Sequence, residues 1–190
     1  FIPIHPGETL SYGGYCFEVV LLKGHTFGQC GLYEPQKKLM FVGDQLMTTI
    51  VPIVGTQETD LGMLKCYLDS LGDLKHNYKD CYFLPCHYGE IRNVEKEVNR
   101  IILGYLEKCE IMKHVLEEAG TALTTRDIGV RTYGRSQGPP DYAHFASCTQ
   151  IWAKTFSCME YMMGEGFVER SERDGIIYWK APSIHFENNR

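Results

Sequence analysis

The sequence predicts an α/β fold in two parts: a layered domain of short strands and long helices, then a smaller unit of helices and one hairpin. Three observations lead there. Short β-branched or aromatic runs bounded by Gly, Pro or charge recur at 15–22 (YCFEVVLL), 39–42 (LMFV) and 81–84 (CYFL), which are strand signals. Apolar residues recur at helical spacing over 60–73 and 93–118. Near residue 120 the pattern changes to two further helices and a strand–turn–strand.

Residues 32–38 (LYEPQKK) read as a strand end and turn leading into 39–42, a hairpin, with Lys37 and Lys38 solvated in the turn. Leu61, Leu64, Leu68 and Leu71 mark one face of the first helix. In the second, Asn93 is the N-cap, Glu95 and Glu97 suit the positive end, and Gly120 supplies the stop. Its stripe is Val94, Val98, Ile101, Ile102, Leu106, Cys109 and Met112. Strands followed by covering helices make a layered α/β domain, with its boundary at 119/120.

Beyond Gly120, residues 124–130 form a short helix capped by Thr124 or Thr125, and 132–142, with Gly134, Gly138, Pro139 and Pro140, form a loop. A long helix follows over 144–164, with Trp152, Phe156, Met159 and Met163 on one side, read as core. Residues 166–181 read as strand, turn at Asp174-Gly175, strand. Helix, helix, hairpin is the plan of a winged helix, so 120–190 is expected to be a winged-helix-like domain.

Composition narrows the function classes. With 190 residues, 44% hydrophobic and 23% charged, the chain is globular. No run approaches the roughly 18 to 20 apolar residues that cross a bilayer, so no membrane association is expected. A formal charge of −5 argues against a bulk nucleic-acid binder. The eight cysteines form no C-x-x-C pair. They are read as small buried hydrophobes of a reducing, cytoplasmic protein.

Each of three strand candidates is followed at once by a ligand-type residue. After 15–22 comes Lys23-Gly24-His25-Thr26-Phe27-Gly28; after 39–42, Gly43-Asp44; after 81–84, Pro85-Cys86-His87-Tyr88-Gly89. If these strands share a sheet and run the same way, His25, Asp44 and His87 emerge along one edge. Imidazole and carboxylate suit zinc, iron or manganese, and the adjacent glycines let the backbone turn sharply. Singly, a histidine after a strand is commonly a surface residue and Gly-Asp a plain turn; only the recurrence at three strand ends suggests a shared site. His5, His76, His114, His144 and His185 lack that context and are read as surface or structural. Cys86 is read as a buried thiol over a ligand, and Tyr88 as either lining a cleft or packing on the sheet.

Together, Gly24-His25-Thr26-Phe27-Gly28, Phe41-Val42-Gly43-Asp44 and Leu84-Pro85-Cys86-His87-Tyr88-Gly89 resemble the later motifs of the metallo-β-lactamase superfamily. The resemblance, supported by the loop Leu46–Gly55, spans about residues 7–118; that of 120–190 to the winged-helix extension of a hydrolase subgroup is looser. It implies a histidine ligand of a first metal (His25), an aspartate bridging two metals (Asp44) and a histidine ligand of the second (His87). Two divalent ions follow, zinc first, with iron or manganese as alternatives. Phe27 stands where the family often has Pro, and Cys86 where it often has Gly. The family's first ligand motif, His-x-His-x-Asp-His, does not occur in these 190 residues. The resemblance therefore implies that this chain is the second αβ half of an αββα sandwich. The first half is then a missing partner, and the chain alone an incomplete hydrolase prone to self-association.

Three functions are weighed. One is hydrolysis of a small ester, thioester or lactone by a metal-bridging hydroxide, with Asp44 also accepting a proton in turnover. The second is an RNA-processing nuclease of the same superfamily. The third is a non-enzymatic winged-helix regulator. Residues 121–190 carry eight Lys or Arg and eight Asp or Glu, and the long helix has Lys154 against Glu160 and Glu165. Phosphate neutralisation supplies most non-specific nucleic-acid affinity, so the small-molecule hydrolase leads.

Overall fold

The β1–β2 hairpin opens the chain: Thr9–Tyr12 (β1) pairs antiparallel with Tyr15–Leu21 (β2) across Gly13-Gly14. The computed structural model describes residues 1–54, 62–134 and 142–182, and for 142–148 the backbone only. Strand β2 continues antiparallel to Cys30–Glu34 (β3), and β3 to Leu39–Gly43 (β4), so the expected hairpin at 32–42 is present. Its turn is closed by the Glu34 carboxylate, which accepts the Lys37 backbone N–H at 2.6 Å. Helix Met63–Asn77 (α1) then carries the chain to Tyr82–Pro85 (β5), which lies parallel to β4. The sheet order is β1-β2-β3-β4-β5.

Register separates the two faces of this sheet. Met40 pairs with Tyr33 and with Phe83, and these residues share one face. That face is the covered one: Met40, Val42 and Phe83 are fully buried, and Tyr33 meets Tyr78, the C-cap of α1, at 4.9 Å between ring centroids. Leu64, Tyr67, Leu71 and Leu74 are the buried side of α1. Tyr67 and Leu74 were not among the leucine positions expected, and Leu61 lies outside the described residues. On the opposite face, Phe41, Tyr82 and Leu21 stay 39–46% exposed, and Phe17 meets Phe41 edge to face at 5.9 Å.

Helix Val94–Ala119 (α2) starts and stops where its signals place it. Asn93 Oδ1 accepts the Lys96 N–H at 2.9 Å, and Gly120 ends the helix at φ 60°. Its first half holds down the segment after β4. Arg100 donates to the Met47 carbonyl at 2.6 Å, and the Tyr105 hydroxyl to the Pro52 carbonyl at 2.6 Å.

The chain divides into two compact units, Phe1–Tyr105 and Leu106–Arg190. The unit boundary lies within the residues of α2; Val98 and Ile101 are buried in the first unit, Met112 and Leu116 in the second. The second unit contains Leu123–Thr124 (β6), Thr125–Tyr133 (α3), Tyr142–Gly164 (α4), Glu169–Arg173 (β7) and Ile176–Lys180 (β8). Thr124 and Asp127 form a capping box on α3. The strands order as β6-β8-β7. Asp174 and Gly175 both have positive φ (52° and 73°), as a two-residue type I′ turn requires.

The buried side of α4 is Thr155, Cys158, Met159 and Met162; Trp152, expected in the core, is 38% exposed. Trp179 is fully buried instead, edge to face with Phe156 at 5.8 Å, its indole N–H donating to Thr125 Oγ1 at 2.9 Å. The expected loop at 132–142 falls largely on 135–141, outside the described residues. The cysteines are more exposed than expected: Cys81, Cys109 and Cys158 are buried, whereas Cys16 and Cys86 are exposed. Among the described residues no helix is long and apolar enough to cross a membrane.

Candidate metal centre

Two antiparallel steps restore a strand's direction, so β2 and β4, separated by β3, run the same way, and β5 is parallel to β4. The condition set by the sequence is met. His25, Asp44 and His87 all follow the C-terminal ends of strands in one sheet. The structure brings them together around the Asp44 carboxylate: His25 Nε2 is 3.6 Å from Oδ2, and His87 Nε2 is 3.6 Å from Oδ1.

Two glycines permit this geometry. Gly24 has φ 138°, and a Cβ there would collide with the Tyr67 side chain and backbone, so only glycine lets the turn before His25 rest on α1. Gly43 sits at φ 56°, where the β4–β5 register shifts. The shift turns the chain so that Asp44 leaves the sheet edge. The Gly43 carbonyl also accepts the Cys86 N–H at 3.1 Å, which ties the residue before His87 to the residue before Asp44.

His25 is oriented through its other nitrogen. Nδ1 lies 2.7 Å from the Ile53 carbonyl. A carbonyl can only accept, so Nδ1 carries the proton. In the neutral ring Nε2 then presents a lone pair toward Asp44, the arrangement in which a metal-binding histidine is held by a backbone acceptor. His87 is much more open, its side chain 64% exposed, and its ring meets Tyr88 at 6.4 Å. Tyr88 is 54% exposed with φ 68°. A bulky residue in the left-handed region stores strain beside the site.

Asp44 Oδ1 is buried with no hydrogen-bond partner, because His87 Nε2 at 3.6 Å is beyond bonding range. An orphaned buried carboxylate oxygen costs free energy unless a cation or proton meets it. The three side chains therefore fit divalent ions. They do not form a complete cage for one ion: among the described residues, no three His, Cys, Asp or Glu converge as a single ligand set. One histidine faces each oxygen of Asp44, each at 3.6 Å.

Sequence reasoning missed the polar network behind the site. Gln45 is fully buried, and its side chain bonds the Lys23 carbonyl and Ser70 Oγ, each at 3.0 Å. Tyr67 donates to the Gln45 carbonyl at 2.8 Å, and burial pushes its hydroxyl far above the ordinary tyrosine range, keeping it a donor. The available signal was a glutamine inside the apolar run FVGDQLM.

Neither a family model nor a curated protein matches this sequence. Solved structures do. A metallo-beta-lactamase family protein from Thermus thermophilus matches 95% of this chain at TM-score 0.78 and 22% identity. A Beta-lactamase domain protein from Burkholderia ambifaria matches 96% of it at TM-score 0.80 and 19% identity. The chain spans about half the length of these neighbours, 54% and 52%. At such identities the likeness speaks for architecture, and by its architecture this chain has the metallo-β-lactamase superfamily fold.

Proposed function

We propose that this chain carries part of the centre of a metal-dependent hydrolase, with His25, Asp44 and His87 as metal ligands and Asp44 as the bridge. One observation carries the reading: the Asp44 carboxylate lies between two imidazoles, one 3.6 Å from each oxygen, with Oδ1 buried and unpartnered. His25 offers Nε2, its Nδ1 proton being committed to Ile53. When bound, divalent ions supply an activated water and polarise the scissile carbonyl. Asp44 sets the spacing of the two positions and holds a proton at a carboxylate oxygen during turnover. Zinc is the first choice of ion, with iron or manganese as alternatives.

Three ligands over two ions leave each under-coordinated. We therefore assign the remaining ligands to another αβ half of the same protein, packed on the sheet face that leaves Leu21, Phe41 and Tyr82 exposed. The exposure of that face and the length of the neighbours, about twice this chain, support the assignment. Residues 120–190 are read as winged-helix-like on the strand order β6-β8-β7 and the hairpin that closes it. Their balanced charge disfavours the nuclease and regulator readings. The substrate class that remains is a small ester, thioester or lactone, handled in the reducing cytoplasm.

The test is titration of the metal-free chain and its Asp44→Ala variant with Zn(II) and Co(II), beside ester, thioester and lactone assays of the product of the complete reading frame. Loss of the second ion in the variant, with metal-dependent turnover in the complete product, is expected. Unchanged stoichiometry in the variant overturns the ligand assignment.

A further inference from the structure

We propose that Gln45 is a positioning residue that sets His25 against Asp44, an inference that rests on the metal-centre reading for its consequence but on geometry for its content. Gln45 directly follows Asp44 and is fully buried. Every polar atom of its side-chain amide is engaged. Nε2 donates to the Lys23 carbonyl and to Ser70 Oγ, both at 3.0 Å, and Oε1 accepts from Gln29 Nε2 at 3.4 Å. The Lys23 carbonyl can only accept, which fixes the orientation of the amide. Gln29 Nε2 also reaches the Val42 carbonyl at 3.1 Å.

The bonded atoms are not scattered. Lys23 lies two residues before His25, Val42 two residues before Asp44, and Gln29 immediately before β3, the strand that separates them. Ser70 anchors the amide to α1, and the Tyr67 hydroxyl holds the Gln45 carbonyl at 2.8 Å. One side chain therefore clamps the exit of β2 to the exit of β4 across the intervening strand. No apolar residue of that volume could do so, because the Lys23 carbonyl would lose its donor. The 3.6 Å separation of His25 Nε2 and Asp44 Oδ2 is set by this clamp on one side and by the Ile53 carbonyl on the other.

The test uses Gln45→Met, close in volume but without the amide, and Ser70→Ala, which removes one acceptor. In the metal-free chain, the imidazole ¹⁵N–¹H correlations of His25 are compared among the three proteins, and Co(II) affinity is then measured. Loss or displacement of the His25 Nδ1–H signal in Gln45→Met, a smaller change in Ser70→Ala, and Co(II) affinity about 10- to 100-fold lower are expected. A folded Gln45→Met with unaltered His25 signals overturns the proposal. If Gln45→Met does not fold, Ser70→Ala decides on the same signal. If neither this chain nor the product of the complete reading frame binds Co(II), the metal-centre reading falls, while the His25 signals still judge Gln45.

Discussion

The Nδ1–H of His25 is bound to the carbonyl of Ile53, 28 residues later, at 2.7 Å. Ile53 is no ligand and carries no chemistry of its own. Its carbonyl nonetheless selects the tautomer of His25, and it stands where it does because α2 holds the segment after β4 through Arg100 and Tyr105. The candidate centre is thus supported from a helix that supplies none of its proposed ligands.

Asp44→Ala should abolish binding of the second ion without weakening the metal-free fold. The Asp44 Oδ1 atom is buried without a hydrogen bond. Removing an unsatisfied carboxylate is expected to leave metal-free stability unchanged or raise it by up to about 1 kcal/mol. Urea denaturation beside metal stoichiometry checks both halves; a metal-free loss above about 2 kcal/mol would mean that Asp44 has a structural role instead.

Tyr105→Phe deletes the hydroxyl that meets the Pro52 carbonyl at 2.6 Å inside the fold. A cost of about 1 to 2 kcal/mol is expected from the orphaned carbonyl. The His25 Nδ1–H signal should broaden, because Pro52 neighbours Ile53. An unperturbed His25 in this variant would show that the segment is held by Arg100 alone.

Gly24→Ala should be far more damaging than its single methyl suggests. The added Cβ meets the backbone and side chain of Tyr67, at a φ of 138° that side-chain-bearing residues rarely adopt. A loss of about 3 kcal/mol or more is expected by denaturant titration. A near-neutral result would show that the turn before His25 can lift away from α1.

In the second unit, Thr124→Ala breaks the capping box with Asp127 and should cost about 1 kcal/mol. Metal binding, whose ligands from this chain we place in the first unit, should not change. Thermal unfolding with Co(II) titration separates the two effects.

Random duplex DNA at physiological salt should bind this chain no tighter than micromolar. Residues 121–190 balance eight basic against eight acidic side chains, which leaves little phosphate neutralisation. A sub-micromolar, steeply salt-dependent affinity would return the nucleic-acid readings to first place.

Local patterns made much of the chain legible. The α2 boundaries were written in Asn93 and Gly120, the I′ turn in Asp174-Gly175, and the shared edge of His25, Asp44 and His87 in three strand-end positions. Each is a short-range rule: a cap, a turn and a strand period act over a few residues. What tertiary structure alone decided lies between residues far apart in sequence. The Ile53 carbonyl on His25, the Gln45 clamp on Lys23 and Ser70, and the burial of Trp179 in place of Trp152 depend on which segments meet. No periodicity encodes such meetings, because a backbone carbonyl is present at every position and only packing chooses which one a side chain reaches.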